Sequence, residues 1–199
     1  MDKLFNSTFD FLSYALPGSL LLSSALVLNP QISNLSELIE FAAQIPLHGM
    51  IIILIFSYTL GFALYPIGRG LYRSLGFRLW KQKIPNDVPL FIADKYALLR
   101  ELAPANFKYI ENWNIYCAMG HNLALAAAGF TLFSLIKILW QQPENIGYWL
   151  LLASLSLFLF FCFLNRAVVF SNWAAIDINA AITRLNLLEK AKKTKNTQP

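Results

Sequence analysis

The residue best placed to do chemistry in this 199-residue chain is His121, which stands deep inside a stretch that has no other charged or imidazole side chain. An ionisable side chain inside an apolar helix must be compensated by partners, so it marks a functional candidate. Asn122 follows His121 in the same stretch, and Asp10 and Arg166 lie in comparable inner positions of neighbouring stretches. Asp10 and Arg166 are expected to form an interfacial pair, with His121 and Asn122 hydrogen-bonded beneath it. His121 then has two readings: a neutral imidazole satisfied within a bundle, or a step on a proton or ion route. A route needs polar groups continuing outward, and beyond Ala124 this stretch supplies only Thr131 and Ser134. An oligomeric pore lined by small and apolar residues and gated by dewetting would not need them.

Other chemistry is sparse. His48 is the only second histidine, and there is no GxxxxGK[ST], HExxH, CxxC or GxSxG pattern. A lone histidine does not make a zinc site. No catalytic residue, cofactor site or metal site is expected, and the chain reads as a non-enzyme. Cys117 and Cys162 are read as small packing residues in a reducing compartment.

The elements that position these residues follow from the distribution of charge. Windows 11–36, 41–68, 112–136 and 145–165 contain no Asp, Glu, Lys or Arg, so all 27 charges fall in the other half of the chain. Each window reaches the roughly 20 apolar residues that carry a helix across about 30 Å of hydrocarbon. The expected fold is an all-α membrane protein of one domain, with spans at 9–28, 47–67, 113–139 and 147–165. Fifteen of the sixteen basic residues fall on one side of such a topology, and Lys137 alone falls in the last outer connection. The positive-inside rule then places both termini, a helical loop 68–112 and an amphipathic tail 166–199 in the cytoplasm. The basic balance faces anionic lipid and requires no nucleic acid.

Local signals refine the connections. Pro17-Gly18 predicts a kink in the first span, and Tyr65-Pro66 predicts the end of the second. Residues 33–44 read as a short amphipathic helix at the outer interface. Arg69, Arg73 and Arg78 alternate with Leu71, Leu75 and Leu79 from 70 to 80, the pattern of a separate basic helix lying on a membrane surface. A second helix is expected over 90–102, then a third capped by Asn106 that runs into the third span. The fourth span is expected to continue unbroken to residue 189, with Trp173 and Ile176 on an apolar stripe that must bury against the loop, a second copy or a cytoplasmic protein partner. Gly120, Ala124 and Ala128 recur every four residues, and Ser57 with Gly61 makes a similar smooth patch. Such faces either pack the helices of one chain or join copies, and the chain is expected to self-associate.

The opening Phe9-Asp10-Phe11-Leu12-Ser13-Tyr14-Ala15-Leu16-Pro17-Gly18 resembles the start of small bacterial four-span proteins encoded in phage-defence and abortive-infection loci. Asn122-Leu123-Ala124 and the charged helix after the fourth span fit the same plan, although His121 stands where that group is expected to have arginine. The resemblance implies an inner-membrane sensor, scaffold or effector without an active site. A channel or transporter subunit is the alternative.

Overall fold

The computed structural model describes residues 2–80, 82, 84 and 88–196, with side chains described for 11–34, 36–80, 82, 84 and 88–193. The fold is all-α, with no strand among the described residues. The helices are α1 (Asp2–Leu26), α2 (Leu35–Ala43), α3 (Leu47–Leu71), α4 (Phe77–Trp80), α5 (Ile92–Leu102), α6 (Pro104–Gln141), α7 (Ile146–Arg184) and α8 (Leu187–Asn196), with a π-helical turn, Tyr72–Gly76, joining α3 to α4.

Three helical runs, Leu47–Trp80, Pro104–Gln141 and Ile146–Arg184, are long and apolar enough to cross a membrane, the composition of a multi-pass membrane protein. α1 carries a shorter apolar stretch, Phe11–Leu26. Large side chains along α3 and α7, among them Ile51, Ile55, Phe56, Leu151 and Phe158, are exposed, a continuous apolar exterior suited to lipid. The 34, 38 and 39 residues of the three long runs correspond to about 50 to 60 Å of helix, well beyond a hydrocarbon core. The surplus lies at the end of the bundle that bears Arg69, Arg73 and α5, the basic end.

Close contacts fix the register. A Cβ added at Gly18 would overlap the Ser57 carbonyl, and one at Gly61 would overlap the Tyr14 carbonyl, so α1 and α3 cross antiparallel with their backbones touching. Gly120 faces Ala167, and the Thr131 hydroxyl donates to Ser156 Oγ at 3.1 Å, which aligns α6 antiparallel to α7 over several turns. α1 runs parallel to α6, with Leu21 against Gly129 and the end of α1 against Lys137. At the basic end a separate core forms from Val88, Leu99, Ile110, Ala174, Ile178, Ile182 and Leu187. The extension of α7 therefore buries its Ile178 and Ile182 stripe against α5, α6 and α8, within the chain itself.

Several expected boundaries are corrected. Pro66 does not end its helix, because α3 runs through it to Leu71 and onward to Trp80. A proline removes one backbone bond, and the neighbouring helices hold the rod together across that loss. Residues 70–80 are consequently a coaxial continuation of α3 and not a separate surface helix. The third helix starts at Pro104, not Asn106, since proline's fixed φ suits the first helical position, where its missing N–H has no partner to lose. The fourth helix stops at Arg184, and Asn186, at φ 49°, makes the left-handed bend before α8. Lys137 belongs to α6 and is 2% exposed, because α6 continues to Gln141 before the left-handed Gln142 ends it. Asn34, the first residue of a glycosylation sequon, caps α2 by accepting the Glu37 N–H at 3.0 Å.

Candidate functional site at the basic end of the bundle

The site is built where α3 leaves the apolar zone. Gly68 lies directly on α6, and a Cβ there would stand 2.8 Å from His121 Nδ1 and 3.0 Å from Asn122 Oδ1. That close approach seats His121, 2% exposed, between two rings of α3 and the turn after it, Tyr65 at 5.1 Å and Tyr72 at 5.9 Å between centroids. His121 Nδ1 lies 3.1 Å from Asn122 Oδ1, within hydrogen-bonding distance. Asn122 Nδ2 is buried without a partner.

The π-helical turn shapes the space beside His121. Its wider i→i+5 closure, with the Phe77 N–H bonded to the Tyr72 carbonyl, inserts Tyr72 into the bundle against Phe77 and lays Gly76 on Val168 and Leu164. The Tyr72 hydroxyl sits beside Ser171 and Cys117. Arg69 and Arg73, one turn apart, line an open cavity of about 460 Å³ between α3, α5, α6 and α7. Tyr65, Tyr72, Tyr96, Asn114, Cys117, His121 and Ser171 supply its polar wall, and Phe77, Ile92 and Ile178 its apolar wall. Among the described residues neither guanidinium has a hydrogen bond or carboxylate partner.

Tyr96 and Asn114 divide this cavity from a neighbour of about 240 Å³ that also touches Tyr14 and Glu111. Asn114 Nδ2 donates to Tyr96 Oη at 2.7 Å, tying α5 to α6 across the partition. Burial raises the Tyr96 pKa above its ordinary value, against the smaller opposing effect of the Asn114 bond, so its oxygen is a neutral phenol. Behind it, Lys95 is 5% exposed and donates to Asn179 Oδ1 at 2.8 Å, which anchors α5 on α7.

No protein-family profile, curated protein or solved structure matches this chain. Its function must be argued from the site's own chemistry.

Of the residues singled out from the sequence, His121 and Asn122 are adjacent and buried, and the side chain of Asp10 lies outside the described residues. Arg166 does not join them. It is exposed, with its guanidinium over Phe170 at 5.6 Å, on a stripe of α7 with Trp173 and Asp177. The reason is angular: Ala167 is the residue facing Gly120, and one helical step of about 100° turns position 166 away. Arg69 and Arg73 occupy the place expected for it, while Arg78 is exposed beyond the cavity. All three arginines are exposed, Arg69 and Arg73 on the cavity and Arg78 outside its lining. Ser57, Gly61, Gly120 and Ala124 are buried between helices of the same chain, with Ala128 half-buried beside them. Trp173 and Ile176 are 40% and 45% exposed.

The Trp173 ring nonetheless rests on Trp113, 5.0 Å away, within a cluster completed by Tyr116 and Phe170. Trp113 Nε1 donates to Asp177 Oδ2 at 2.9 Å. Trp113→Phe keeps the ring packing and removes this bond. It is expected to lower stability by about 1 kcal/mol, a modest drop in thermal midpoint in detergent. An unchanged midpoint would mean that water already serves Asp177.

Asn114, near the inner end of the third apolar stretch, is an expected neighbour of His121 and lines the cavity with it, whereas Tyr65, Tyr96 and Ser171 carry no signal in the sequence that marks them as cavity residues. Single tyrosines and polar residues near a span end have no distinguishing spacing, and only the π-helical turn and the docking of α5 bring them together.

Proposed function

We propose that this chain is a four-span protein of a bacterial inner membrane, with both termini and the 68–112 segment in the cytoplasm. It acts without catalysis as a sensor or effector in defence against phage, through the helical layer at its basic end. The observation that carries this reading is continuity: α3, α6 and α7 pass without interruption from their apolar windows into the basic-end layer and meet there around an open cavity. Whatever occupies or displaces that layer acts directly on the spanning helices. The fourth span is supported by α1, whose apolar stretch lies against α3 and α6 and whose far end is held by Lys137. Orientation is supported by the fifteen basic residues gathered toward one side. Self-association belongs to the proposal through the exposed apolar exterior, since the Gly120 and Ser57 faces are taken up within the chain.

The alternative, an oligomeric channel or transporter subunit, is favoured by one observation. Ser57 Oγ, Asn122 Nδ2 and Ser134 Oγ are buried without partners inside the bundle. Against it, Ala124, Ala126 and Ala127 close the middle of α6 at 0 to 2% exposure.

Two measurements separate the readings. Cells carrying the chain are expected to resist phage, to lose that resistance with Ile176→Ser or Trp173→Ala, and to keep their membrane potential on overexpression without infection. Purified protein in liposomes is expected to pass no current. Steady currents from the wild-type protein, with resistance untouched by both surface variants, would establish the channel instead.

A further inference from the structure

We infer that the cavity between α3, α5, α6 and α7 is a binding site for a phosphate group carried on an organic body, held by Arg69 and Arg73. This deepens the sensor reading and rests on it, by giving the basic-end layer a ligand.

The two guanidiniums supply the first ground. Arg69 and Arg73 lie four residues apart on one face of the helix, which places their side chains about 6 Å apart at Cβ. Each is a planar fork suited to bidentate contact with phosphate oxygens, and neither is neutralised by a described carboxylate. Two cations side by side with no counter-charge among the described residues repel one another, and an anion between them removes that repulsion and satisfies both forks. Three other basic residues at this end are placed differently: Lys95 is bonded to Asn179, Arg166 lies on Phe170, and Arg78 is outside the cavity lining.

Size and lining say what else the ligand carries. A cavity of about 460 Å³ is much larger than one phosphate and falls in the range of small-molecule sites. Its hydroxyls and amide, from Tyr72, Tyr96, Ser171 and Asn114, suit a polar head, and Phe77, Ile92 and Ile178 suit an apolar portion. His121 is part of its lining.

The position adds a constraint on source. Tyr65 and His121 belong to charge-free windows, while Arg69 and Arg73 stand just past the end of one. That is the level at which lipid phosphates lie, so the phosphate is either that of a lipid entering sideways or that of a free phosphate ester entering from the aqueous side. Both present the same anion to the same pair of arginines.

The test uses the full chain purified in zwitterionic detergent and then in nanodiscs. Probes are phosphatidylglycerol against phosphate-free diacylglycerol for the lipid arm, and adenosine monophosphate against adenosine for the soluble arm. Native mass spectrometry reads the adduct, and the thermal midpoint reads stabilisation. One arm is expected to give a saturable one-to-one adduct that raises the midpoint, weakened at least tenfold by Arg69→Gln with Arg73→Gln and about as wild type with Arg78→Gln or Arg166→Gln. Ala175→Leu, which keeps every charge but fills the cavity wall, is expected to block the same adduct, and it decides the matter should the double arginine variant not fold. No phosphate-dependent adduct in either arm, or equal loss with Arg78→Gln, overturns the site, the latter because bulk surface charge would explain it. Cysteine labelling of residue 193 in intact cells reports orientation independently. An externally labelled Lys193→Cys would overturn the cytoplasmic reading while leaving the binding result to stand or fall alone.

Discussion

Gly61→Leu is expected to prevent the bundle from assembling. Gly61 and Gly18 are reciprocal partners at the crossing of α1 and α3, each occupying the space a Cβ would need against the other helix's carbonyl, at Tyr14 and at Ser57. The obstructing atoms are backbone, so no side-chain rotation relieves the overlap and the helices must separate. Separation also removes the stacking of Phe11 on Tyr58, at 5.2 Å, and the edge contacts of Tyr14 with Tyr58, Phe62 and Tyr65. A loss above about 4 kcal/mol is expected, at the extreme end of single substitutions. The check is size-exclusion chromatography in mild detergent, where Gly61→Leu should give no monodisperse peak. Gly70→Leu is the control, since nothing lies within 4 Å of a Cβ at that position. A monodisperse Gly61→Leu protein with the wild-type midpoint would mean that the two helices do not meet there. This also changes what a bulky residue at Gly120 can report. A Cβ there would stand 3.1 Å from Ala167 Cβ inside the chain, so loss of activity in such a variant would reflect helix packing before any pore.

Lys137→Met is expected to loosen the opposite end of the bundle by about 3 kcal/mol, the scale of hydrogen bonds to a buried charge. Lys137 Nζ donates to the Val27 carbonyl at 2.9 Å, the Asn29 carbonyl at 3.1 Å and Gln141 Oε1 at 3.0 Å. Its ammonium lies 5.0 Å from the centre of the Trp149 ring, and Trp149 is 1% exposed with its indole N–H unpartnered. The first two acceptors lie just past the end of α1, where carbonyls have no helical partner and the helix dipole favours a cation. Methionine matches the length of the stem but leaves the Val27 carbonyl buried without its donor, while the Asn29 carbonyl keeps the Ile32 N–H. The expected result is a fall of several degrees in thermal midpoint and earlier proteolysis after residue 26, with Lys137→Arg partly preserving the cap. A Lys137→Met midpoint equal to wild type would show that water reaches the end of α1. By its place in the sequence, Lys137 is the sole basic residue on its side. Its burial shows that it belongs to the fold and not to the balance of loop charge.

Much of the architecture could be read from single residues in order. The absence of Asp, Glu, Lys and Arg from four windows marks the apolar portions of α1, α3, α6 and α7, because the free energy of placing a charge in hydrocarbon depends on one residue and its surroundings, not on a partner. Asn34, Pro104 and Asn186 begin or end helices through preferences confined to one turn, but the sequence had marked Asn106 as the start of the third helix and a continuous run to 189. Pro66 misled, since a lost backbone bond is a local penalty that packing by neighbouring helices can outweigh.

The site lay beyond that reach. The sequence places His121 beside Asn122 and sorts the basic residues to one side, and both statements follow from chain order and charge alone. Which arginines meet the histidine is a matter of angle. Gly68 sets the distance between α3 and α6, one π-helical turn rotates Tyr72 inward, and Ala167 facing Gly120 turns Arg166 out. A cavity is the space left when several helices are fixed against one another, so its lining depends on every crossing at once. That is why composition and spacing determined a membrane-type helical protein with a basic end, and only the tertiary structure put Arg69 and Arg73 around an open cavity there.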